Sequence, residues 1–229
     1  MKKTIGIIGC GWLGKKLQEH LLNFFDVECY ERKKTDTKSS FWQRDLIIIA
    51  INTKDNYLQT LKKISTLTAD QTTTILMSST SVYREFDKEV NEEVNITKIA
   101  LQREAEMLMQ ELNKNLLILR LGGLMGEDRI SGRWKSASSF SDSFVNYIHR
   151  DDVIAITKGL IVRDISSGIY NLVAPLHPLR SDVHKKNSKD FGFELGTFEG
   201  KSYRTVNSQK IIDELNYTFL HPNPLKFWD

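Results

Sequence analysis

The sequence predicts a doubly wound α/β fold, in which helices cover both faces of a parallel sheet. Short segments that are apolar at almost every position, such as 4–9 and 45–51, alternate with longer segments whose apolar residues recur at helical spacing. Continuously apolar strands are typical of parallel sheets, because both faces of such sheets are buried. A glycine-rich loop directly after the first predicted strand supports the same fold class.

Length and composition limit the function classes. The 229 residues carry a net charge of +3, and the basic residues are scattered rather than gathered on one face. The longest apolar run, at 46–51, is too short to cross a bilayer. The first residues resemble a strand and show no signal-peptide pattern. We therefore expect a cytoplasmic protein that binds neither nucleic acid nor membrane.

The opening segment predicts a strand, a glycine loop, a helix and a second strand. The apolar run at 4–9 ends in glycine, and Leu13, Leu17 and Leu21 then recur with the spacing of an amphipathic helix. A second strand follows at 27–31. This is the order in which the first half of a dinucleotide-binding (Rossmann) fold begins.

The connection between Arg32 and Asp45 is unusually short. A crossover that includes its helix needs at least about 10–12 residues by itself, so a further strand and helix do not fit there. We expect one strand–helix unit to be missing and the sheet to be truncated at this edge.

The remaining elements continue the alternation. Strands are predicted at 45–51, 72–77, 116–121 and 168–173, and helices at 57–64, 97–112, 151–162 and after Asn207 or Ser208. The serine-rich segment 131–143 is predicted to be a loop. We expect a Rossmann-like domain over 1–173 and a small substrate-side subdomain over 174–229.

The loop GCGWLG at 9–14 predicts a dinucleotide site. In a G-x-G-x-x-G sequence the first glycine permits the tight turn and the second lets the backbone approach a pyrophosphate. The third glycine allows close packing of helix on strand, and the phosphates lie at the helix N-terminus. Within the loop, the predicted cofactor-binding residues are Gly9, Gly11, Trp12, Leu13 and Gly14.

The end of the second strand leaves the choice of cofactor open. Glu31 stands where an acid would hold the ribose hydroxyls of NAD, whereas Arg32 and its basic neighbours suit the 2′-phosphate of NADP. Ala50, Asn52 and Ser78, near the ends of later strands, complete the predicted cofactor set. The missing unit removes one wall of the adenine pocket, so we expect NAD or NADP to be held weakly.

The two cysteines, Cys10 and Cys29, have neither metal-ligand spacing nor an evident catalytic partner. They are interpreted as small buried thiols in a reducing compartment. The sequence predicts no metal site.

Four further segments carry a family resemblance. They are SSTSVY at 78–83, LRLGGLMG at 119–126, VNYIHRDDV at 145–153 and GIYNL at 168–172. With the glycine loop, they resemble, in order, the motifs of the extended short-chain dehydrogenase/reductases, the NAD-dependent epimerase/dehydratase family. The most similar subgroup is that of short, atypical bacterial members of the YeeZ type.

The resemblance implies hydride exchange between a nicotinamide and a nucleotide-sugar or other anionic carbonyl or hydroxyl substrate. In that family a Tyr-x-x-x-Lys pair supplies the base and a serine polarises the carbonyl. Here the segment TKIALQREAE at 97–106 places Lys98 where the tyrosine belongs and Gln102 where the lysine belongs. The remaining candidates for catalysis are Ser79, Tyr83 and Lys98.

Other residues of these segments are expected to serve architecture or substrate. His149 is interpreted as a structural, hydrogen-bonded histidine, and Arg120 as the anchor of a carboxylate or of carbonyls. Arg129 and Arg133 lie in a loop where the resemblance implies an anionic ligand.

Two functions stay open at this stage. One is an atypical NAD(P)-dependent oxidoreductase or isomerase, and the other is a catalytically inactive protein that senses a dinucleotide or a metabolite. Segments 5–14 and 45–51 also resemble prephenate dehydrogenase, but the motifs at 79–83 and 149–152 do not fit that enzyme. The expected partner is a small anionic molecule, and a homodimer is an open alternative.

Overall fold

The structure is a computed structural model that describes residues 2–30, 39–53, 56–133 and 139–229. Its strands are, in chain order, β1 (Thr4–Ile8), β2 (Asp26–Tyr30), β3 (Leu46–Ile49), β4 (Thr73–Ser79), β5 (Leu116–Leu121), β6 (Gly123–Met125), β7 (Ser139–Ser143), β8 (Tyr147–His149), β9 (Gly168–Leu172) and β10 (Thr197–Ser202). Its α-helices are α1 (Trp12–Leu21), α2 (Tyr57–Leu67), α3 (Leu101–Leu112), α4 (Arg150–Val162), α5 (Arg180–Phe191) and α6 (Gln209–Leu215). Short 3₁₀ helices cover Ser39–Gln43, Thr80–Tyr83 and Pro224–Lys226.

One six-stranded sheet organises the described residues, with the strand order β2-β1-β3-β4-β5-β9. β1 pairs in parallel with β2 and with β3, and β3 pairs in parallel with β4. Helix α1 connects β1 to β2, and α2 connects β3 to β4, because a hairpin turn cannot return the chain in the same direction. The predicted doubly wound α/β fold is therefore confirmed.

The strand interiors form the core of this sheet. Ile47, Ile48 and Ile49 in β3 are fully buried, as expected for a central strand with both faces covered. Ile47 and Ile49 belong to a cluster that includes Leu61 of α2 and Met109 of α3. At about 25 cal/mol per Å² of buried apolar surface, such a cluster is the main stabilising term of the sheet.

The described chain divides into two compact units. The first takes its residues from 1–82, 97–120 and 157–170, and the second from 83–96, 121–156 and 171–229. The first unit contains the glycine loop. The second contains the pairs β6–β8 and β7–β10 together with the C-terminal segment.

The described sheet ends at β2, in agreement with the expected truncation. Residues 31–38, which include much of the short connection, lie outside the described part. The described remainder of this connection forms a 3₁₀ helix, Ser39–Gln43, and contains no strand. Phe41 and Trp42 of this turn are buried against Tyr30 at the end of β2.

Two predictions about local structure were wrong, and one helix was not predicted. The helix expected over 97–112 begins at Leu101, because residues 97–100, including Ile99, are exposed and bury no apolar side chain that would stabilise a further turn. The expected loop 131–143 contains β7, where Phe140 packs on Phe198 of β10. The C-terminal region contains a full helix, α5, which the sequence analysis missed because its sequence is strongly polar.

The described residues include no helix that is both long and apolar enough to cross a membrane.

A buried polar cluster lies inside the second unit. His184 of α5 is 1% exposed, and its Nε2 lies 3.0 Å from the Ser131 hydroxyl, which itself donates to the Tyr147 hydroxyl at 2.8 Å. Burial, reinforced by Arg180 and opposed by Asp142, lowers the pKa of His184 to about 4.

Because the pKa of His184 is lowered, we expect the folded protein to lose stability in acid. Between its unfolded pKa near 6.5 and its folded pKa near 4, the unfolded chain holds more protons, so stability falls as the pH falls. The group contributes about 3 kcal/mol to this loss. Urea unfolding at pH 7 and at about pH 4 should show a smaller loss for His184→Gln than for the wild type. His20→Gln, at an exposed histidine, is the control, and equal losses in His184→Gln and wild type would contradict the assignment.

Candidate functional site

The glycine loop follows β1 in a conformation that depends on Gly9. This residue has φ +104°, in the left-handed region that favours glycine. A side chain there would also collide with the carbonyl of Ala50, directly after β3. The two strand ends are joined by a hydrogen bond of 2.8 Å from Ala50 N–H to the Ile8 carbonyl. Gly9 therefore lets the chain leave β1 tightly against its neighbouring strand.

The other two glycines of the loop have different roles. A Cβ on Gly14 would collide with the carbonyl of Gly9, so the third glycine permits α1 to pack closely on the loop. A Cβ on Gly11 would meet no atom within 4 Å. Packing within the described protein therefore does not require glycine at position 11, whereas the approach of a ligand to the backbone does.

The first turn of α1 is suited to an anion. Its first helical hydrogen bond runs from Lys15 N–H to the Gly11 carbonyl at 2.9 Å, and the N–H groups of Leu13 and Gly14 precede that bond. The first turn contains no acidic residue. The N–H groups and the helix dipole together favour a phosphate at this end.

A disulfide joins Cys10 of this loop to Cys29 of β2, with their Cα atoms 6.0 Å apart. The prediction of two free thiols was therefore wrong. The sequence analysis judged each cysteine by its neighbours in the chain, but the parallel pairing of β1 with β2 brings the loop to the end of β2.

The other predicted cofactor residues lie in several environments. Trp12 and Leu13 are half-buried in the first turn of α1, Ala50 is half-buried and Asn52 is exposed after β3. Glu31 and Arg32, and with them the choice between NAD and NADP, lie outside the described residues.

Ser78 takes part in a buried ionic cluster. Its hydroxyl donates to Oε1 of Glu106 in α3 at 2.7 Å. Arg120 of β5 binds the same carboxylate with two hydrogen bonds, from Nε to Oε1 at 3.0 Å and from an Nη to Oε2 at 2.7 Å. Glu106 is 0% exposed and Arg120 is 2% exposed. Of the two kinds of partner predicted for Arg120, a carboxylate or carbonyls, the structure shows the carboxylate.

Sequence analysis had not identified Glu106 as the partner of Arg120. A signal for it exists, since Glu106 falls on the face of α3 that also buries Ala105 and Met109. The Glu106 carboxylate also affects a neighbouring side chain. Burial, together with this nearby carboxylate, raises the pKa of Tyr57 to about 12.

The three candidate catalytic residues differ in what they offer. Ser79, at the end of β4, is half-buried, and its hydroxyl accepts a hydrogen bond from Ser81 N–H at 3.1 Å. Tyr83 is 0% exposed, and its hydroxyl donates to the Asn171 side chain at 3.0 Å. Lys98 lies in the exposed segment before α3, not within the helix as predicted. The structure thus holds the phenol of Tyr83 inside the second unit and Lys98 in solvent.

The remaining predicted residues belong to the second unit. Arg129 and Arg133 are exposed. His149 is buried at the end of β8, and its Nδ1 accepts a hydrogen bond from Asp151 N–H at 3.3 Å.

The chain is similar to known proteins in sequence and in fold. No family model matches the chain. Protein YeeZ of Escherichia coli strain K12 is 24% identical, in an alignment that covers 97% of this chain and 98% of YeeZ. The two proteins are therefore similar over their whole length.

Solved structures share the fold over nearly the whole chain. A functionally unknown conserved protein from Silicibacter pomeroyi superposes with a TM-score of 0.79 at 18% identity, covering 98% of this chain and 96% of that one. UDP-glucuronic acid 4-epimerase from Bacillus cereus, solved with NAD, superposes with a TM-score of 0.75 at 15% identity, covering 98% and 97%. The human epimerase family protein SDR39U1, solved with NADPH, superposes with a TM-score of 0.75 at 13% identity, covering 98% and 97%.

The ionic cluster yields a stability prediction. Glu106→Gln leaves the Arg120 guanidinium buried without a compensating charge, which should lower the free energy of unfolding by about 3–5 kcal/mol. Glu104→Gln, at an exposed position on the same helix, should change it by less than about 0.5 kcal/mol. The double variant Glu106→Leu, Arg120→Met should recover much of the loss, because it removes both charges. Denaturant unfolding measures all three, and equal stability of the two glutamine variants would contradict the prediction.

Proposed function

We propose that this chain, a full-length homologue of YeeZ with the fold of NAD-dependent epimerase/dehydratase proteins, binds NAD or NADP at its glycine loop. The observation that carries the proposal is the contrast among the three glycines. Gly9 and Gly14 are required by contacts within the protein, whereas the space beside Gly11 is open. A pyrophosphate beside Gly11 would meet the N–H groups at the start of α1.

The proposed activity is an atypical oxidoreductase or isomerase reaction on a small anionic carbonyl or hydroxyl compound, such as a nucleotide-sugar. A nicotinamide cofactor supplies hydride exchange when bound. In this chain, Ser79 is the candidate that lies at a strand end of the same unit as the loop, and its hydroxyl is suited to polarising a carbonyl. No residue of the described chain reproduces the Tyr-x-x-x-Lys pair of the family.

A second function is favoured by the state of Tyr83. Its phenol is fully buried and donates to Asn171, so a substrate would reach it only after rearrangement. A protein that binds the dinucleotide without turning over a substrate needs no such group. We therefore retain a dinucleotide- or metabolite-sensing role as the alternative.

Calorimetric titration with NAD, NADH, NADP and NADPH tests the binding site. The wild type should bind at least one of them, and Gly11→Val should weaken that binding by more than about 100-fold, or about 2.7 kcal/mol, because its side chain occupies the open space. Gly11 adopts an extended conformation that valine tolerates, so the fold should be kept. Gly14→Ala should instead destabilise the protein itself.

Ala100→Val is the matched control, because Ala100 precedes α3 as Gly11 precedes α1 and is also extended. It should leave dinucleotide affinity unchanged. Binding that survives Gly11→Val would contradict the proposed site, and no binding of any of the four compounds at millimolar concentration would contradict the proposed function.

Turnover separates the two functions. Nicotinamide absorbance is followed with the dinucleotide that binds and a panel of nucleotide-sugars and small carbonyl compounds. If the chain is an enzyme, Ser79→Ala should lower kcat by about 100-fold or more without loss of dinucleotide affinity. An unchanged kcat in Ser79→Ala would remove Ser79 from the mechanism. Tight binding with no turnover across the panel would favour the sensing role.

A further inference from the structure

Three side chains with metal-binding groups meet in the second unit, although His221 is far from the other two in the sequence. His149 ends β8, Asp151 lies in the first turn of α4, and His221 belongs to the C-terminal segment. Oδ2 of Asp151 is 3.6 Å from Nδ1 of His149 and 3.8 Å from Nε2 of His221. One ligand atom from each residue can be chosen so that all three lie within 4.8 Å of one another.

These separations are close to those around a single ion. Nitrogen and oxygen atoms bound at about 2.0–2.2 Å from a zinc ion lie about 3–3.5 Å from each other in a tetrahedral arrangement. Small side-chain rotations of His221 and Asp151, which are both partly exposed, would close the remaining difference.

His149 is present in the form that a metal requires. Its Nδ1 accepts the N–H of Asp151 at 3.3 Å, so Nδ1 is unprotonated, and an ion bound at Nδ1 would take the place of this long hydrogen bond. The side chain is 4% exposed, which restricts the ring to this orientation. The lone pair therefore lies on the side of the ring where Asp151 stands.

Asp152, which follows Asp151 in α4, holds the backbone at His221 in place. One carboxylate oxygen of Asp152 accepts hydrogen bonds of 2.7 Å from the Tyr217 hydroxyl and from Leu220 N–H. The other oxygen accepts His221 N–H at 3.1 Å. Asp152 thus fixes the backbone of the C-terminal segment beside α4, as the outer contacts of metal sites do for their ligands.

Ring packing orients both histidines. The His149 and His221 ring centroids lie 3.8 Å apart, and Phe227 packs edge-on against the two rings at 5.6 and 6.2 Å. The adjacent cation, Arg150, is paired with Glu127 at 3.4 Å, which offsets its charge. The side chains of Asp151 and His221 keep exposures of 47% and 30%, so an ion can enter from solvent.

We propose that His149 Nδ1, Asp151 Oδ2 and His221 Nε2 bind one divalent transition-metal ion of the zinc class, with a further coordination position left to water. Two imidazoles and one carboxylate suit such ions, whereas Mg²⁺ and Ca²⁺ prefer oxygen ligands throughout. Sequence analysis predicted no metal site, because nothing in the spacing of these residues indicates that they meet. The bound ion would cross-link the start of α4 to the C-terminal segment.

Titration of metals into untagged, chelator-treated protein tests the site. Zn²⁺ is measured by calorimetry and Co²⁺ by its visible d–d absorption, and Mg²⁺ is included for comparison. The wild type should bind one equivalent of Zn²⁺ and of Co²⁺, with little response to Mg²⁺, and saturating Zn²⁺ should raise its Tm. Asp151→Asn and His221→Gln should each weaken Zn²⁺ by more than about 10-fold and abolish the Tm shift.

The control variants carry the same chemical changes elsewhere. His20→Gln and Asp70→Asn alter exposed residues of the first unit and should bind Zn²⁺ as the wild type does. Circular dichroism of each variant establishes that it is folded. The proposal is overturned if the wild type fails to bind one equivalent of Zn²⁺, if the folded Asp151 and His221 variants keep its affinity, or if the controls weaken it equally.

Discussion

The buried ion pair between Glu106 and Arg120 is the constraint on which the first unit depends. It connects α3 to β5, and the hydroxyl of Ser78 connects the same carboxylate to β4. Two charges buried this deeply are tolerated only because two hydrogen bonds join them and further donors satisfy the carboxylate. The cluster therefore sets the position of the carboxyl end of β4, where the candidate residue Ser79 follows Ser78 directly.

The three glycines of the loop differ in whether contacts within the protein require them. Gly9 and Gly14 are needed because other backbone atoms occupy the space where their side chains would lie. Gly11 satisfies no such need within the described protein, and the dinucleotide proposed to bind there would account for its lack of a side chain. The disulfide from Cys10 to Cys29 adds a covalent connection between this loop and β2.

The glycine loop and the candidate residue Tyr83 belong to different compact units. The loop, at which a dinucleotide is proposed to bind, belongs to the first unit, whereas Tyr83 is hydrogen-bonded within the second. At the positions where the sequence resemblance places a catalytic tyrosine and lysine, this chain has Lys98, which precedes α3, and Gln102. The second unit has its own polar centre, formed by His149, Asp151 and His221.

The sequence by itself determined the fold class and the glycine loop, because both depend on local patterns: apolar runs of strand length, helical periodicity and the spacing of three glycines. It also predicted that Arg120 meets a carboxylate or carbonyls. Only the tertiary structure decided that this carboxylate is Glu106, that Cys10 meets Cys29, and that His149 lies beside His221. Those pairings join residues on different strands, helices and terminal segments, and their distance in space is set by how the elements pack. A local pattern in the sequence does not predict that distance.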